Sequence, residues 1–380
     1  MKLNLLLVGL LFTSVLLFSC NNTEIVNEGK KSAVRGVWLT NVDSDVLSSS
    51  ENIKEAVSLV DELGMNTIFV VTWNKAMTMY PSKIMKNFTG VEIDPAYDGR
   101  DPLQELIDEA HNKNIKVIAW FEFGFSASYN ANGGILLEKK PHWASKNYDG
   151  NLVTKNGFDW MNGFNPEVQD FILSIICEVV ENYNVDGIQG DDRLPAMPSE
   201  AGYDDYTVDL YKNTHNGEEP PEDSKDSEWL NWRTDIMNSY MTKLYTTVKA
   251  INPDMIISMS PSIFPWSKEE YLQDWPTWIK NKQVEIICPQ IYRYSVKEYS
   301  ETLNETVKYA KGFDFDMMAP GILLKLGDYY APEEYLTEVI KQNRLNGING
   351  EVYFFFEGLK KNSKFFKSIY KDKINFPVIN

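Results

Sequence analysis

Two adjacent carboxylates and an arginine end a short apolar segment in the middle of the chain. Residues 185–193 read Val-Asp-Gly-Ile-Gln-Gly-Asp-Asp-Arg, and they follow a predicted helix over Pro166–Asn182. The apolar stretch is typical of a buried parallel strand, and barrel enzymes carry their chemistry at the carboxyl ends of such strands. Because successive strand side chains point to opposite faces, only one of the two aspartates points inward. We predict that Asp191 does, and that Asp192 begins a loop and binds Arg193 or a substrate hydroxyl.

Further carboxylates lie at the predicted carboxyl ends of other strands. Glu122 ends the third strand and Glu357 ends the eighth. Any one of them could be a polar loop cap. However, if both converge with Asp191 and Asp192, the four carboxylates repel one another and shift each other's pKa values, which a structural role does not explain.

Paired carboxyl groups perform glycoside hydrolysis, in which one protonates the leaving oxygen and the other attacks or activates water. We predict Asp191 as the nucleophile or transition-state stabiliser and Glu122 as the general acid, with Glu357 as its substitute. Aromatic surfaces that carry sugar rings complete such a site. The predicted substrate-binding residues are Asp192, Arg193, Asn41, Trp73, Trp120, Gln290, Tyr292, Trp143 and Trp160.

Eight apolar runs alternate with eight helical patterns between residues 34 and 370. The predicted strands are Val34–Asn41, Asn66–Trp73, Lys116–Glu122, Val185–Asp191, Met255–Ser260, Val284–Tyr292, Met317–Leu323 and Gly350–Glu357. The predicted helices are Ile53–Leu63, Pro102–Asn114, Pro166–Asn182, Glu228–Ile251, Glu269–Asn281, Val296–Lys311, Pro332–Asn346 and Ser363–Tyr370. Eight strand–helix repeats predict an α/β fold, a single (β/α)8 TIM barrel. Its long connections follow strands two, three and four, so they share the mouth of the barrel.

The first 32 residues read as a targeting segment. Lys2 precedes an apolar run, and Leu17-Phe18-Ser19-Cys20 resembles a bacterial lipoprotein box, which implies cleavage before Cys20 and its lipidation. A plain secretory signal is the alternative. We predict a signal peptide at 1–19, a flexible tether at 20–32 and one catalytic domain at 33–380. We expect the protein in the bacterial cell envelope, anchored to a membrane. The outer membrane or the cell surface is the favoured location.

Composition excludes several classes of function. The formal net charge of −17 argues against nucleic acid as a partner. Three cysteines give no disulfide framework, and the three histidines are far apart, so we predict no metal and no cofactor. The expected partner is a polysaccharide substrate. The oligomeric state is left open.

Several motifs together resemble the bacterial glycosyl hydrolase-like family 10. They are Arg35-Gly36-Val37-Trp38-Leu39-Thr40, Tyr80-Pro81-Ser82, Asp101-Pro102-Leu103, Glu109-Ala110-His111, Ala119-Trp120-Phe121, Asn165-Pro166-Glu167-Val168 and the stretch from Asp186 to Asp192. The resemblance implies a (β/α)8 glycosidase that acts on bacterial envelope polysaccharide, with peptide-free peptidoglycan strands as the substrate of at least one branch. Many members have Asn where this chain has Glu122 and an aromatic residue where it has Arg193. A non-catalytic glycan-binding lipoprotein on a barrel scaffold is the alternative.

Overall fold

The eight predicted strands form a closed parallel barrel. A computed structural model describes residues 32–379, and its strands are β1 (Arg35–Leu39), β2 (Thr67–Val71), β3 (Lys116–Phe121), β4 (Gly187–Gly190), β5 (Ile256–Met259), β6 (Ile286–Ile287), β7 (Gly321–Leu323) and β8 (Glu351–Phe354). Their order in the sheet is β6-β5-β4-β3-β2-β1-β8-β7, and every pairing is parallel. Parallel bridges from Ile287 to Met318 and from Gln290 to Gly321 join the two edges. The TIM-barrel prediction is therefore confirmed.

Eight helices surround the barrel. They are α1 (Ser50–Glu62), α2 (Pro102–His111), α3 (Pro166–Asn182), α4 (Ser227–Ile251), α5 (Trp275–Lys280), α6 (Val296–Tyr309), α7 (Glu333–Leu345) and α8 (Ser363–Ile369). Local sequence sets their starts. Asp101 and Asn165 cap α2 and α3 by accepting backbone N–H groups, and each precedes a proline at the first helical position.

Two elements differ from the predictions. The single helix predicted over Glu269–Asn281 is two short helices, Trp266–Tyr271 and α5. Leu272 ends the first in the left-handed conformation with φ 53°, and Pro276 favours a new helix start. The strand predicted over Val284–Tyr292 is paired as β6 only at two residues, because Pro289 has no N–H to donate to the ladder. The other seven strands lie within their predicted bounds.

The connections after β2, β3 and β4 carry small elements of their own. After β2 come a hairpin of Trp73–Asn74 and Met77–Thr78, the helix Lys83–Thr89 and a 3₁₀ turn at Pro95–Tyr97. After β3 come an antiparallel sheet of Ser126–Tyr129, Phe158–Trp160 and Thr154–Lys155, the helix Gly134–Lys139 and a turn at Pro141–Trp143. After β4 comes the helix Asp205–Thr214. All three connections leave carboxyl strand ends and therefore lie around the mouth.

The remaining connections are shorter. They hold the 3₁₀ turns Val46–Ser48 and Phe315–Met317, the hairpin of Lys325–Leu326 with Tyr329–Tyr330, and the helix Glu357–Lys361. The strands themselves are buried almost throughout, which matches their apolar sequences.

The predicted signal peptide, Cys20 and all of the tether except Ser32 lie outside the described residues. Among residues 32–379, no helix is both long enough and apolar enough to cross a membrane. Cys177 and Cys288 are free thiols, half-buried and buried respectively.

Candidate active site

Asp191 lies directly after the end of β4 and is fixed by several donors. Its side chain is 3 % exposed. The indole Nε1 of Trp120 donates to Oδ2 at 2.9 Å, and Nε2 of Gln290 donates to Oδ1 at 2.5 Å. The backbone N–H of Asp192 also donates to Oδ1, at 2.6 Å. Strands β3, β4 and the segment after β6 therefore hold this carboxylate in one orientation.

Glu122 follows the last residue of β3 and belongs to a second chain of hydrogen bonds. Nδ2 of Asn74 donates to Glu122 Oε2 at 2.9 Å and also to Asn41 Oδ1 at 2.8 Å. Asn74 lies in the hairpin after β2, and Asn41 follows β1. One amide thus ties Glu122 to the loops of the two preceding strands.

The guanidinium of Arg193 lies between the carboxylates. Its Nη1 is 2.8 Å from Asp192 Oδ1, and its Nη2 is 3.4 Å from Asp191 Oδ2 and 3.8 Å from Glu122 Oε1. The latter two oxygens are therefore at most about 7 Å apart, the sum of both distances, and glycosidases separate their carboxyl pair by about 5–9.5 Å. The guanidinium also packs over Phe158, with Cζ 4.4 Å from the ring centroid.

Two glycines allow the loops after β3 and β4 to approach each other this closely. Gly124 has φ +50°, and a Cβ there would lie 2.1 Å from the carbonyl oxygen of Arg193. That oxygen accepts the N–H of Phe125 at 3.1 Å. A Cβ on Gly190 would lie 2.3 Å from the carbonyl oxygen of Leu194, within the turn that carries Asp191. Neither position has room for a side chain.

The surroundings of Glu122 favour its protonated form. Burial raises the pKa of Glu122 to about 7, and the Asp192 carboxylate adds to the rise. The charges of Arg193 and, more weakly, Lys75 act in the opposite direction. A carboxyl group with a pKa near neutrality is suited to general acid catalysis.

Asp191 accepts more hydrogen bonds than Glu122 does. Burial, followed by the Asp192 carboxylate, raises the pKa of Asp191, whereas Arg193 and the Asp192 N–H lower it. The indole of Trp120 and the amide of Gln290 also donate to Asp191, which favours a carboxylate over a carboxylic acid. Of the two groups, Asp191 is therefore the better carrier of the negative charge.

These groups line a cavity of about 160 Å³ at the barrel mouth. Its walls include the side chains of Trp38, Trp120, Phe158, Tyr292, Phe354, Ser260 and Gln290 together with the charged groups. Trp38 is held by its indole N–H, which donates to Gln189 Oε1 across the barrel at 2.7 Å. Burial raises the pKa of the Tyr292 phenol, so its hydroxyl stays neutral. A larger crevice at the opposite end of the barrel contains the Lys116–Asp186 ion pair.

The structure places three of the predicted substrate-binding tryptophans in the hydrophobic core. Trp73, Trp143 and Trp160 are at most 3 % exposed and do not line the cavity. The indole of Trp73 donates to the backbone of Gly124, and Trp143 packs on Phe171. Long loops need apolar side chains to bury their own small elements, and these rings serve that purpose.

Glu357 lies outside the cavity wall that the other three predicted carboxylates line, so the structure brings together three of the four. It begins the helix Glu357–Lys361, three residues after β8, and accepts the Ser44 hydroxyl at 2.8 Å. It does not line the cavity. Asn41 also lies outside the cavity wall but contacts the site through Asn74. The structure therefore pairs Asp191 with Glu122 and not with Glu357.

The sequence predictions omitted three aromatic residues of the cavity wall. Trp38 and Phe354 lie within apolar strands, where nothing distinguishes them from barrel core, and Phe158 lies in the small sheet after β3. Trp38 and Phe354 could have been identified only from their positions near the carboxyl ends of β1 and β8.

The three histidines pair with separate carboxylates. His111 contacts Asp186, His142 contacts Glu167, and His215 contacts Glu228. Within residues 32–379, no cluster of three or more His, Cys, Asp or Glu side chains is arranged to hold a metal ion.

Comparison with known proteins yields a family and several relatives. Residues 33–313 match the model of the family described as glycosyl hydrolase-like 10. The glycosyl hydrolase YngK of Bacillus subtilis is 24 % identical over 383 residues, covering 89 % of this chain and 71 % of its own length. The glycosyl hydrolase DigH of Escherichia coli K12 is 27 % identical over 302 residues, covering 68 % of this chain and 65 % of its own length.

Solved structures share the barrel fold. The PgaB (BpsB) glycoside hydrolase domain from Bordetella bronchiseptica superposes with a TM-score of 0.66 at 13 % identity, covering 91 % of this chain and 100 % of that domain. Alpha-L-fucosidase isoenzyme 2 from Paenibacillus thiaminolyticus gives a TM-score of 0.65 at 18 % identity, covering 89 % of this chain and 49 % of its own. At these identities the likeness shows the fold.

The raised pKa of Glu122 predicts how stability depends on pH. Between pH 4.5 and about 7 the folded protein holds a proton that the unfolded chain has released. The contribution of this group to stability is therefore intact below pH 4.5 and is lost as the pH rises through about 7. Glu122→Gln has no carboxyl group to titrate at this position. The unfolding free energy of the variant minus that of wild type should therefore increase by up to about 3 kcal/mol between pH 4.5 and about 7. Urea unfolding of both proteins across the interval measures the difference, and parallel pH curves would contradict the prediction.

Proposed function

The chain belongs to the glycosyl hydrolase-like 10 family, and from this premise we propose that it is a glycoside hydrolase that works with Glu122 and Asp191. One observation carries the proposal. A buried carboxyl group, Asp191, and a half-buried one, Glu122, lie within about 7 Å of each other around one guanidinium, in a cavity at the barrel mouth. Its relatives are named glycosyl hydrolases, and structures of similar fold are glycosidases.

In this proposal Glu122 is the general acid. Burial raises its pKa to about 7, so it still carries a proton near neutral pH. It gives that proton to the glycosidic oxygen as the bond to the leaving group breaks. The carboxylate that remains lies 3.8 Å from the Arg193 guanidinium, which compensates the new negative charge.

Asp191 serves the opposite role and acts as the ionised partner. Its donors hold the oxygens in a fixed direction, so no reorganisation is required while positive charge develops on the sugar ring. It either attacks the anomeric carbon or stabilises the oxocarbenium-like transition state. Both roles require the same orientation.

The proposed substrate is a polysaccharide of the bacterial envelope, with peptide-free peptidoglycan strands as the specific candidate. The family resemblance suggests this class. The aromatic walls at Trp38, Trp120 and Tyr292 suit the apolar faces of sugar rings, while Asp192 and Gln290 offer polar groups to hydroxyls.

We further propose that Cys20 carries the lipid anchor that holds the protein in the cell envelope. The support is the sequence Leu17-Phe18-Ser19-Cys20 behind an apolar run. Full-length protein expressed in bacteria with labelled palmitate should incorporate the label, and Cys20→Ala should not. Equal labelling of the two proteins would contradict the anchor.

Carboxylate substitutions test the catalytic pair. A soluble form, residues 33–380, should release fragments from a panel of bacterial glycans headed by peptide-free peptidoglycan strands. Glu122→Gln should lower kcat by about 10²- to 10⁴-fold because the leaving oxygen is no longer protonated. Asp191→Asn should lose at least as much. Glu357→Gln is the matched control, and it should cleave at nearly the wild-type rate because Glu357 lies outside the cavity.

Each other outcome of this panel has a distinct meaning. Loss of activity in Glu357→Gln but not in Glu122→Gln would transfer the acid role to Glu357. Full activity in all variants would place the active site elsewhere. Retained glycan binding with no cleavage of any glycan would favour the non-catalytic binding protein.

The pH dependence of catalysis tests the roles of the two groups. Since the acid must be protonated, kcat/KM should fall as the pH rises above about 7. It should also fall at low pH, where Asp191 becomes protonated. The residual activity of Glu122→Gln should lack the fall above about pH 7, and a variant that retains it would contradict the assignment.

A further inference from the structure

The hairpin after β2 has a turn whose two residues are unsuited to its backbone. Trp73 pairs with Thr78 and Asn74 with Met77, which leaves Lys75 and Ala76 as a two-residue loop. Both have positive φ, at 50° and 58°. Such turns favour Asn-Gly, because side chains with a Cβ rarely adopt this conformation.

The residue type of Lys75 is also poorly suited to a positive φ. Six of the ten non-glycine residues with positive φ are Asn or Asp, the types that tolerate it best. Lys75 does not belong to this group. Non-glycine strain of this kind clusters at binding and catalytic sites, where the surrounding structure maintains it.

The turn places Lys75 beside the catalytic acid. Its neighbour Asn74 donates directly to Glu122, and the Lys75 charge is close enough to lower the pKa of Glu122. The Lys75 side chain is exposed, and no described carboxylate lies within ion-pair distance of it. An exposed cation with no ion-pair partner among residues 32–379 therefore lies next to Asn74, outside the cavity wall, although the protein carries a formal net charge of −17.

In the free protein this cation works against Glu122, because it favours loss of the proton that a general acid needs. An anionic group bound to Lys75 would cancel the effect. A negatively charged substrate would therefore both neutralise the lysine and restore the proton affinity of the acid.

We propose that Lys75 is a specificity residue that binds a carboxylate on the glycan next to the scissile bond, so that the protein selects acidic over neutral glycans. This inference rests on the proposed hydrolase function. In peptidoglycan the peptide is attached by an amide bond that consumes a sugar-borne carboxylate, and removal of the peptide frees it. Lys75 would then distinguish stripped strands from strands that still carry peptide.

The test compares peptide-free strands with the same strands after their carboxylates have been converted to neutral methylamides. Wild type should prefer the acidic strands in kcat/KM by about tenfold, the size expected for one charge-assisted hydrogen bond. Lys75→Asn suits the backbone of the turn but removes the charge, so its ratio should approach one. Lys75→Arg should keep most of the preference. Lys54→Met removes an exposed lysine on α1 and should leave the ratio unchanged.

Two further measurements separate this inference from the proposed function. The thermal midpoint of Lys75→Asn should rise, since Asn relieves the strained turn, and this shows that the variant is folded. Calorimetric binding of both strands is measured in Asp191→Asn with and without Lys75→Asn, so the binding preference is tested even if wild type cleaves no glycan. A wild type without preference, or a preference that survives Lys75→Asn in binding and turnover, would overturn the proposal.

Discussion

The guanidinium of Arg193 is the interaction on which the mouth of the barrel depends. Three carboxylates approach it, and each would cost several kcal/mol to bury without a positive partner. One positive charge does not balance three negative charges. The arrangement is most favourable when one carboxyl group keeps its proton. Burial raises the pKa of both Glu122 and Asp191, but Asp191 accepts three hydrogen bonds from uncharged donors and Glu122 accepts one, so Glu122 is the better holder of the proton. The proposed hydrolysis depends on this division between a protonated acid and an ionised partner.

The position of Arg193 also accounts for two nearby residues, Gly124 and Phe158. Arg193 can reach Glu122 only if the loops after β3 and β4 touch, and Gly124 permits that contact. The planar guanidinium packs on Phe158, which the small sheet after β3 places there. The long connection after β3 is therefore a support for the charge cluster as well as a wall of the cleft.

Much of this arrangement could be predicted from the sequence, and the failures have physical causes. The strands were predictable because both of their faces are buried, which gives continuous apolar runs such as Thr67–Val71. Asp191 and Glu122 were predictable because charged groups at the ends of such runs are conspicuous. The aromatic residues were harder to assign, because burial of a loop and contact with a ligand call for the same side chains. Trp143 was predicted to bind substrate but lies in the core, whereas Trp38 lines the cavity and was not predicted to do so. Glu357 lies beyond the carboxyl end of the barrel because β8 ends at Phe354, three residues before the predicted end of the strand.

The two cations near Glu122 act on it in different ways because their surroundings differ. Arg193 is 11 % exposed and already surrounded by carboxylates, so its effect on the acid is built into the fold. Lys75 is exposed at a strained turn, and its effect depends on what it meets from solution. A fixed charge can set the resting proton affinity of an acid, whereas an exposed charge can make that affinity respond to the substrate. Under the proposed function, the placement of Lys75 beside Asn74 would couple recognition of an anion to the protonation of Glu122.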